Sequence, residues 1–431
     1  MSRYIQCTFC LLFLFISATQ PYAQNELPVL AADNIYALNT ITPGLYEAAI
    51  SPNNSYIVVY SYQYSLREHP VYENEMFIDY ESSRLQVWSV EDLISPDNDS
   101  PRNDLLLVDP MTSTVVPTQN QQVIAIKLAI SSDERWVAVT TDISVEVYSL
   151  PLLDHIQSLP ASTRSQIIWA SDSPLLLITD VGFVSVWDVE SGASYRYDFE
   201  SLDWFKANSI EGGWILDVRS SDGDDVKESF IHCSIYLETC TTYYYDEATH
   251  TFPKVVELSG QHILVTVGED FRSISQIELW EQHDETGFDT YTKIRTIFPG
   301  PETYPRAYSA ASKYIYWVQA TSVVIWDANS LLPVQTLPKY HIPSWFQNDR
   351  YFLMMGYPGN VDLYLYETGT DEPISTIDVT DSIKAEWEYL NEANYWTGAL
   401  AFETHIAISS ENNFAVIDMD YVVLFVKLTH N

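Results

Sequence analysis

The stretch Gln166-Ile-Ile-Trp-Ala-Ser-Asp-Ser-Pro-Leu-Leu-Leu-Ile-Thr-Asp-Val-Gly-Phe-Val-Ser-Val-Trp-Asp-Val-Glu-Ser-Gly192 carries three short β-type runs. Polar turns at 171–174 and 180–182 separate them, and residues 190–192 end the third. Nothing apolar recurs at helical spacing across these breaks, so the stretch reads as strands joined by tight turns. The middle run, 175–178, is apolar throughout, the pattern of a strand covered on both faces.

Variants of this unit recur along the chain. The turns Ser51-Pro-Asn-Asn54 and Ser131-Ser-Asp-Glu134 occupy the place of Ser171, and the steps of 80 and 40 residues give a period of about 40 with an enlarged first copy. Four runs fill most copies. The fourth copy is the least regular: its runs are 204–207, 214–218, 230–236 and 241–245, with the loop Ser220-Ser-Asp-Gly-Asp-Asp225 between the second and third. The eighth has runs at 406–409, 414–417 and 422–428 and lacks a fourth, while an isolated run at 35–41 stands spare before the Pro43-Gly44 turn. This pattern predicts an all-β chain forming a single β-propeller of four-stranded blades, closed by N- and C-terminal strands sharing one blade. Eight blades are favoured; seven is the alternative if the fourth copy is an elaborated insertion. A β-sandwich explains neither the period nor the spare strand.

The third runs end in Val186-Trp-Asp-Val189 and Ile325-Trp-Asp-Ala328, with weaker echoes at Val87-Trp-Ser89, Val147-Tyr-Ser149 and Leu279-Trp-Glu281. These endings, the Ser-Pro-Asn-Asn and Ser-Ser-Asp-Glu turns, and the turn aspartates Asp142 and Asp180 resemble the WD40 repeat. The likeness is closest to divergent WD40-like propellers of exported bacterial proteins and covers nearly all of the chain after its first residues. The family's Gly-His dipeptide is missing throughout. The resemblance implies the fold and leaves the function open, since propellers host binding modules and enzymes alike.

Residues 1–24 have the layout of a secretory signal: Arg3, an apolar segment at 8–17, and a cleavage region ending near Ala23. An uncleaved anchor is the alternative. The expectation is a propeller domain over 25–431, soluble and extracytoplasmic, without a membrane span of its own. With 59 acidic against 21 basic residues and a net charge of −38, the surface repels phosphate backbones, which excludes nucleic acid as a partner and disfavours anionic membranes. Cys233 and Cys240 are the two cysteines outside the signal, and in an exported chain they are expected to form a disulfide; two buried free thiols are the alternative.

No Gly-x-Ser-x-Gly elbow, His-Glu-x-x-His, P-loop or dinucleotide fingerprint occurs. The nine histidines are scattered, and Asp222, Asp224 and Asp225 do not follow the EF-hand order, so they read as a solvated turn. No catalytic, metal or cofactor site is assigned. The expected function is a non-catalytic, monomeric binding scaffold for a protein, peptide or glycan. The alternative is a propeller hydrolase with its polar site at the central channel. The candidate binding residues lie in two inserts expected on one face of the ring. Tyr64, Tyr72, Phe77 and Tyr80 belong to insert 63–83, and Trp387, Tyr389, Tyr395 and Trp396 to insert 380–404. Aromatic faces beside carboxylates suit a cationic or hydroxyl-rich ligand; packing of the two inserts on each other over the closure seam is the competing role.

Overall fold

The continuous apolar runs fold as strands because each blade is sandwiched between two neighbours. In the computed structural model the unit at 166–198 forms the strands Gln166–Trp169, Leu175–Asp180, Phe183–Asp188 and Ser194–Asp198, each antiparallel to the next. Along the second strand, Leu176 and Ile178 pack with Val145, Val147 and Trp169 against blade two. The alternate residues Leu175 and Leu177 join Val184, Val186, Trp214 and Leu216 against blade four. Period-two alternation thus distributes one apolar run between two interfaces.

The structure describes residues 28–430 apart from 31–34, 39–43, 69–75, 95–105, 118–126, 245–253, 258–261, 298–303, 309–312, 339–342, 357–361 and 379–404, and breaks of one to three residues elsewhere. Eight sheets follow one another, each running from an inner first strand to an outer fourth. Blade one is Gly44–Ile50, Tyr56–Glu68, Met76–Ser89 and Thr112–Val116. Blade two is Leu128–Ile130, Trp136–Thr140, Ser144–Ser149 and His155–Pro160. Blade four is Leu202–Ile210, Gly213–Asp222, Asp225–Ser234 and Cys240–Tyr244. Blades five to seven occupy 254–297, 304–338 and 344–378. Blade four is therefore a full member of the ring, and its loop at 220–225 is largely strand: the hairpin pairing runs on to Asp222 opposite Asp225. In blade six the first strand is Tyr304–Tyr308.

Blade eight closes the ring as expected. His405–Ile408, Phe414–Met419 and Val422–Lys427 come from the C-terminal part of the chain, and Ile35–Leu38 pairs antiparallel with the last of them. A fifth strand not foreseen from the sequence, Leu106–Val108, adds in parallel to the outside of Ile35–Leu38. The indole of Trp88 donates to the carbonyl of Val108 at 2.9 Å and anchors it. Pro28–Val29 pairs with Thr429–His430, a second tie between the two ends of the ring.

The serine turns explain why their sequence recurs. At Ser51 and Ser131 the backbone N–H donates to the carbonyl five residues on, and the hydroxyl accepts the N–H of that same residue, at 2.9–3.0 Å. Asn54 and Glu134, three residues into these turns, adopt positive φ, and Ser409 repeats the arrangement. The Trp-Asp aspartate works at the other end of the unit. Asp188 accepts the N–H groups of Glu190 and Ser191 and the Ser191 hydroxyl, which holds its carboxyl below the usual range and bends the chain into the turn ending at Gly192.

Tyr36, against Phe425 in the interface between blades eight and one, is a direct probe of closure. Tyr36→Ala should cost about 3 kcal/mol or more, and removal of residues 25–42 should expose the edge of Val422–Lys427 and cause association. A truncated chain that stays monodisperse at unchanged Tm would contradict the pairing.

Cys233 and Cys240 face each other across the third and fourth strands of blade four and form the expected disulfide. The loop is short, so the Cys233→Ala/Cys240→Ala chain should lose about 2–3 kcal/mol on the chain-entropy estimate. Intact mass after alkylation should show no free thiol; two alkylated cysteines in protein from an oxidising compartment would contradict the bond.

Candidate functional site

The first insert is a pair of strands, not an irregular loop. Among the described residues, blade one supports its second strand as far as Gln63, opposite Gly44, and its third strand from Ser83, opposite Val116. Beyond that point the two strands continue as a hairpin, with Tyr64 opposite Tyr80, Leu66 opposite Ile78 and Glu68 opposite Met76. The register shifts where the arm leaves the blade, because Gln63 pairs with Ser82 and Tyr64 with Tyr80, leaving Glu81 as the extra residue of a bulge. The free pairing from Tyr64 to Glu68 extends about 17 Å past the sheet at strand rise. Alternation assigns Tyr64, Leu66, Ile78 and Tyr80 to one set of positions and Ser65, Arg67, Phe77 and Asp79 to the other.

Three of the predicted binding residues, Tyr64, Phe77 and Tyr80, thus stand on this arm, with Tyr64 and Tyr80 directly opposed. Tyr72 and the second insert's Trp387, Tyr389, Tyr395 and Trp396 lie outside the described residues, as does the turn aspartate Asp142.

The inner wall of the ring carries a polar seam that sequence reasoning missed. Asp418, buried on the second strand of blade eight, accepts the N–H of Ala48 on the inner strand of blade one at 3.0 Å. Its neighbour Glu47 accepts the N–H of Leu128 on the inner strand of blade two. Gln166 of blade three accepts the N–H of Ala207 of blade four at 3.3 Å, and the Trp169 indole donates to the carbonyl of Ala129 in blade two at 2.9 Å. Side chains of one blade thus engage the free edge of the next inner strand. Burial pushes the Glu47 carboxyl up to about 7, against the pull of the Lys127 charge and the Leu128 N–H, and nearby Asp418 adds to the rise. A carboxyl raised to near neutrality is what a general acid requires, yet both carboxylates here are engaged by backbone donors.

A second buried carboxylate resembles a catalytic cluster at first inspection. Glu146 in blade two receives the Ser144 hydroxyl at 2.5 Å, the Ser158 hydroxyl at 2.6 Å and His155 Nε2 at 2.7 Å. In a nucleophile–base–acid triad the acid and the nucleophile hold opposite ring nitrogens. Here Ser158 also approaches Nε2, at 3.3 Å, so the group is a cross-strand bracket. Glu278 has the same place in blade five, with Lys293 at 2.8 Å and the Trp280 indole at 3.0 Å. The signal was present in the sequence: Gln86-Val-Trp88, Glu146-Val-Tyr148, Ser185-Val-Trp187 and Glu278-Leu-Trp280 share a polar residue two before the third-strand aromatic. Among the described residues no group of three or more His, Cys, Asp or Glu side chains is placed to hold a metal ion. No described helix is long and apolar enough to cross a membrane.

Ring, terminal closure and sealed inner strands define an eight-bladed β-propeller. Among solved structures the chain is similar to a eukaryotic initiation factor, at 11% identity and TM-score 0.51 over 92% of this chain and 90% of that one. It is also similar to the dihydro-haem d1 dehydrogenase NirN, at 14% identity and TM-score 0.51 over 82% and 72%. At such identities the likeness establishes the fold. No protein-family model and no curated protein matches the chain by sequence.

The Glu47 carboxyl gives a measurable test of the seam. Its folded value lies above its ordinary 4.5, so between pH 4.5 and about 7 the folded chain binds more protons than the unfolded one, and stability falls as pH rises through this window. Glu47→Gln keeps an acceptor for Leu128 and removes the ionisation. The variant should melt higher than the parent at pH 8, with the advantage shrinking towards pH 4.5. A constant difference in Tm across the range would remove Glu47 from the account.

Proposed function

We propose that this chain is an exported, non-catalytic propeller that serves as a binding scaffold for a protein, peptide or glycan, with the arm of blade one as part of its binding face. The observation that carries this reading is the arm itself. A two-stranded hairpin beyond the support of its sheet is marginal in water, and this one sets tyrosine opposite tyrosine and leucine opposite isoleucine along one set of positions. Contact with a partner surface would add burial to such a hairpin. Export is supported by the signal-like first 24 residues and by the Cys233–Cys240 disulfide. The Trp-Asp endings and serine turns support kinship with WD40-like propellers of exported bacterial proteins.

The test is co-purification of the tagged full-length chain from its native producer after mild crosslinking, repeated with Tyr64→Ser and Tyr80→Ser. Loss of the captured partner at unchanged Tm is the expected result. Capture unaffected while Tm falls would leave the arm a packing role only. A panel of glycosidase, peptidase and esterase substrates addresses the hydrolase alternative, which would be established by specific turnover that Glu47→Gln abolishes.

A further inference from the structure

The outer strand of blade three differs from its counterparts. Of the fourth strands whose burial is described throughout, Thr112–Val116 buries Val116, His155–Pro160 buries Leu159, and Leu332–Pro338 buries Gln335 and Leu337. Ser194–Asp198 exposes every residue. It is also aromatic: Tyr195 and Tyr197 are each 37% exposed. The Tyr195 ring lies 5.0 Å from that of Tyr236, which is 42% exposed on the adjoining turn of blade four. Tyr197 in turn contacts Phe199 at 4.9 Å. Two ring pairs therefore line this strand, one crossing to blade four and one within blade three.

The backbone of this strand has one open edge. Ala193 and Phe199 sit in hydrogen-bonded pairs with Asp188 and Gly182 on the inner side. In an antiparallel ladder such pairs recur at every second residue, so Tyr195 and Tyr197 also bond inward. The N–H and C=O groups of Ser194, Arg196 and Asp198 then point outwards, and among the described residues no strand pairs with them. The chain shows what such an edge accepts: at the corresponding position of blade eight, Leu106–Val108 lies along the outside of Ile35–Leu38 as a fifth strand. Charge narrows the occupant. The molecule carries 59 acidic against 21 basic residues. Around this edge Asp198 is 68% exposed and paired with Arg196, Glu190 is 47% exposed and paired with Arg135, and Glu238 stands exposed two residues from Tyr236, so the carboxylates exceed the cations by one within an acidic molecule. Arg196 is already engaged, with its Nε 2.7 Å from Asp198 and its guanidinium 3.7 Å above the Phe183 ring.

We infer that the rim of blade three is a docking edge for an extended, lysine- or arginine-bearing peptide segment, which adds as a fifth strand beside Ser194–Asp198 and lays its cationic side chains against Tyr195, Tyr197 and Tyr236. The site rests on the binding-scaffold reading and lies on the rim, apart from the arm. Main-chain hydrogen bonds to the open edge supply affinity, and ring faces and carboxylates select for positive charge.

The test uses the full-length chain and a fluorescein-labelled Lys-Val octapeptide of alternating sequence, with the Glu-Val counterpart as the opposite-charge probe. The Lys-Val peptide should bind and the Glu-Val peptide should not. Arg196→Pro removes an outward N–H while leaving the inward ladder intact, a position where proline is tolerated in an edge strand. It should weaken binding about tenfold or more, whereas Arg196→Ser, which keeps the N–H, should match the parent within about threefold. Tyr195→Ser/Tyr197→Ser, at exposed positions, provides a second variant if the proline chain does not fold, and should weaken binding similarly. On the unaltered protein the peptide should slow amide exchange at 194–198. Equal binding by Arg196→Pro and the parent would reduce the attraction to diffuse charge and overturn the strand addition, as would unchanged exchange at 194–198. A partner captured as described above and retained by Arg196→Pro would leave the scaffold reading standing without this edge; failure of all capture with intact peptide binding would do the reverse.

Discussion

The structure depends on one constraint: the described apolar clusters lie between blades, not within them. The second and third strands described in these clusters face a neighbour on each side, so each cluster belongs to an interface between two blades. Leu177 contributes to one and Leu176 to the next. Between blades eight and one, Phe414, Val416 and Phe425 meet Ile57, Val59 and Trp88, and the alternate residues Ala415, Ile417 and Leu424 meet Leu353, Leu363 and Leu365 of blade seven. A sheet removed from this ring would expose two apolar faces at once, which makes every blade a condition for the stability of its neighbours.

Acidity adds a second constraint. In a chain with a net charge of −38, the carboxylates of Glu146, Glu278 and Asp418 are buried in the sheets, and each has donors to meet it. Glu146 and Glu278 are bracketed between third and fourth strands, and Asp418 is placed against a backbone N–H of the neighbouring blade. Those pairings follow the rule that a buried charge persists only where hydrogen bonds replace its water. Between blades the same economy recurs at the turns: Glu134 of blade two accepts the Asn53 N–H of blade one at 2.6 Å, and Arg135 reaches Glu190 of blade three at 2.5 Å.

The fold was legible because its signals are local and repeated. Serine turns, Trp-Asp endings and apolar runs recur at one period, and the spare strand at 35–41 matched the vacancy in the last blade. What escaped the sequence was non-local or too short to carry a pattern. Leu106–Val108 is three residues inside an enlarged connection, with no turn chemistry to frame it. The arm was read as an insert because its length broke the period, although Tyr, Phe and Ile are strand formers. Ala48 and Asp418 are 370 residues apart, and nothing around either marks the other. The aromatic candidates on the arm were legible as residue types, whereas the open edge at Ser194–Asp198 emerges only from register and exposure.

Closure by strands from distant parts of the chain also orders events in time. Ile35–Leu38 is made early by the ribosome, but its partner Val422–Lys427 is made only after every intervening blade. Until then the first strand of blade one lacks the Asp418 carboxylate at Ala48, and Tyr36 lacks Phe425. Hairpins within each blade pair neighbours in sequence and form quickly, while the two pairings between the ends, of high contact order, come last and set the pace of folding. The growing chain is therefore an open arc with two adhesive ends. In such an arc the end of one molecule can complete the first blade of another, so the closure that stabilises the finished ring is also the step most exposed to exchange between chains.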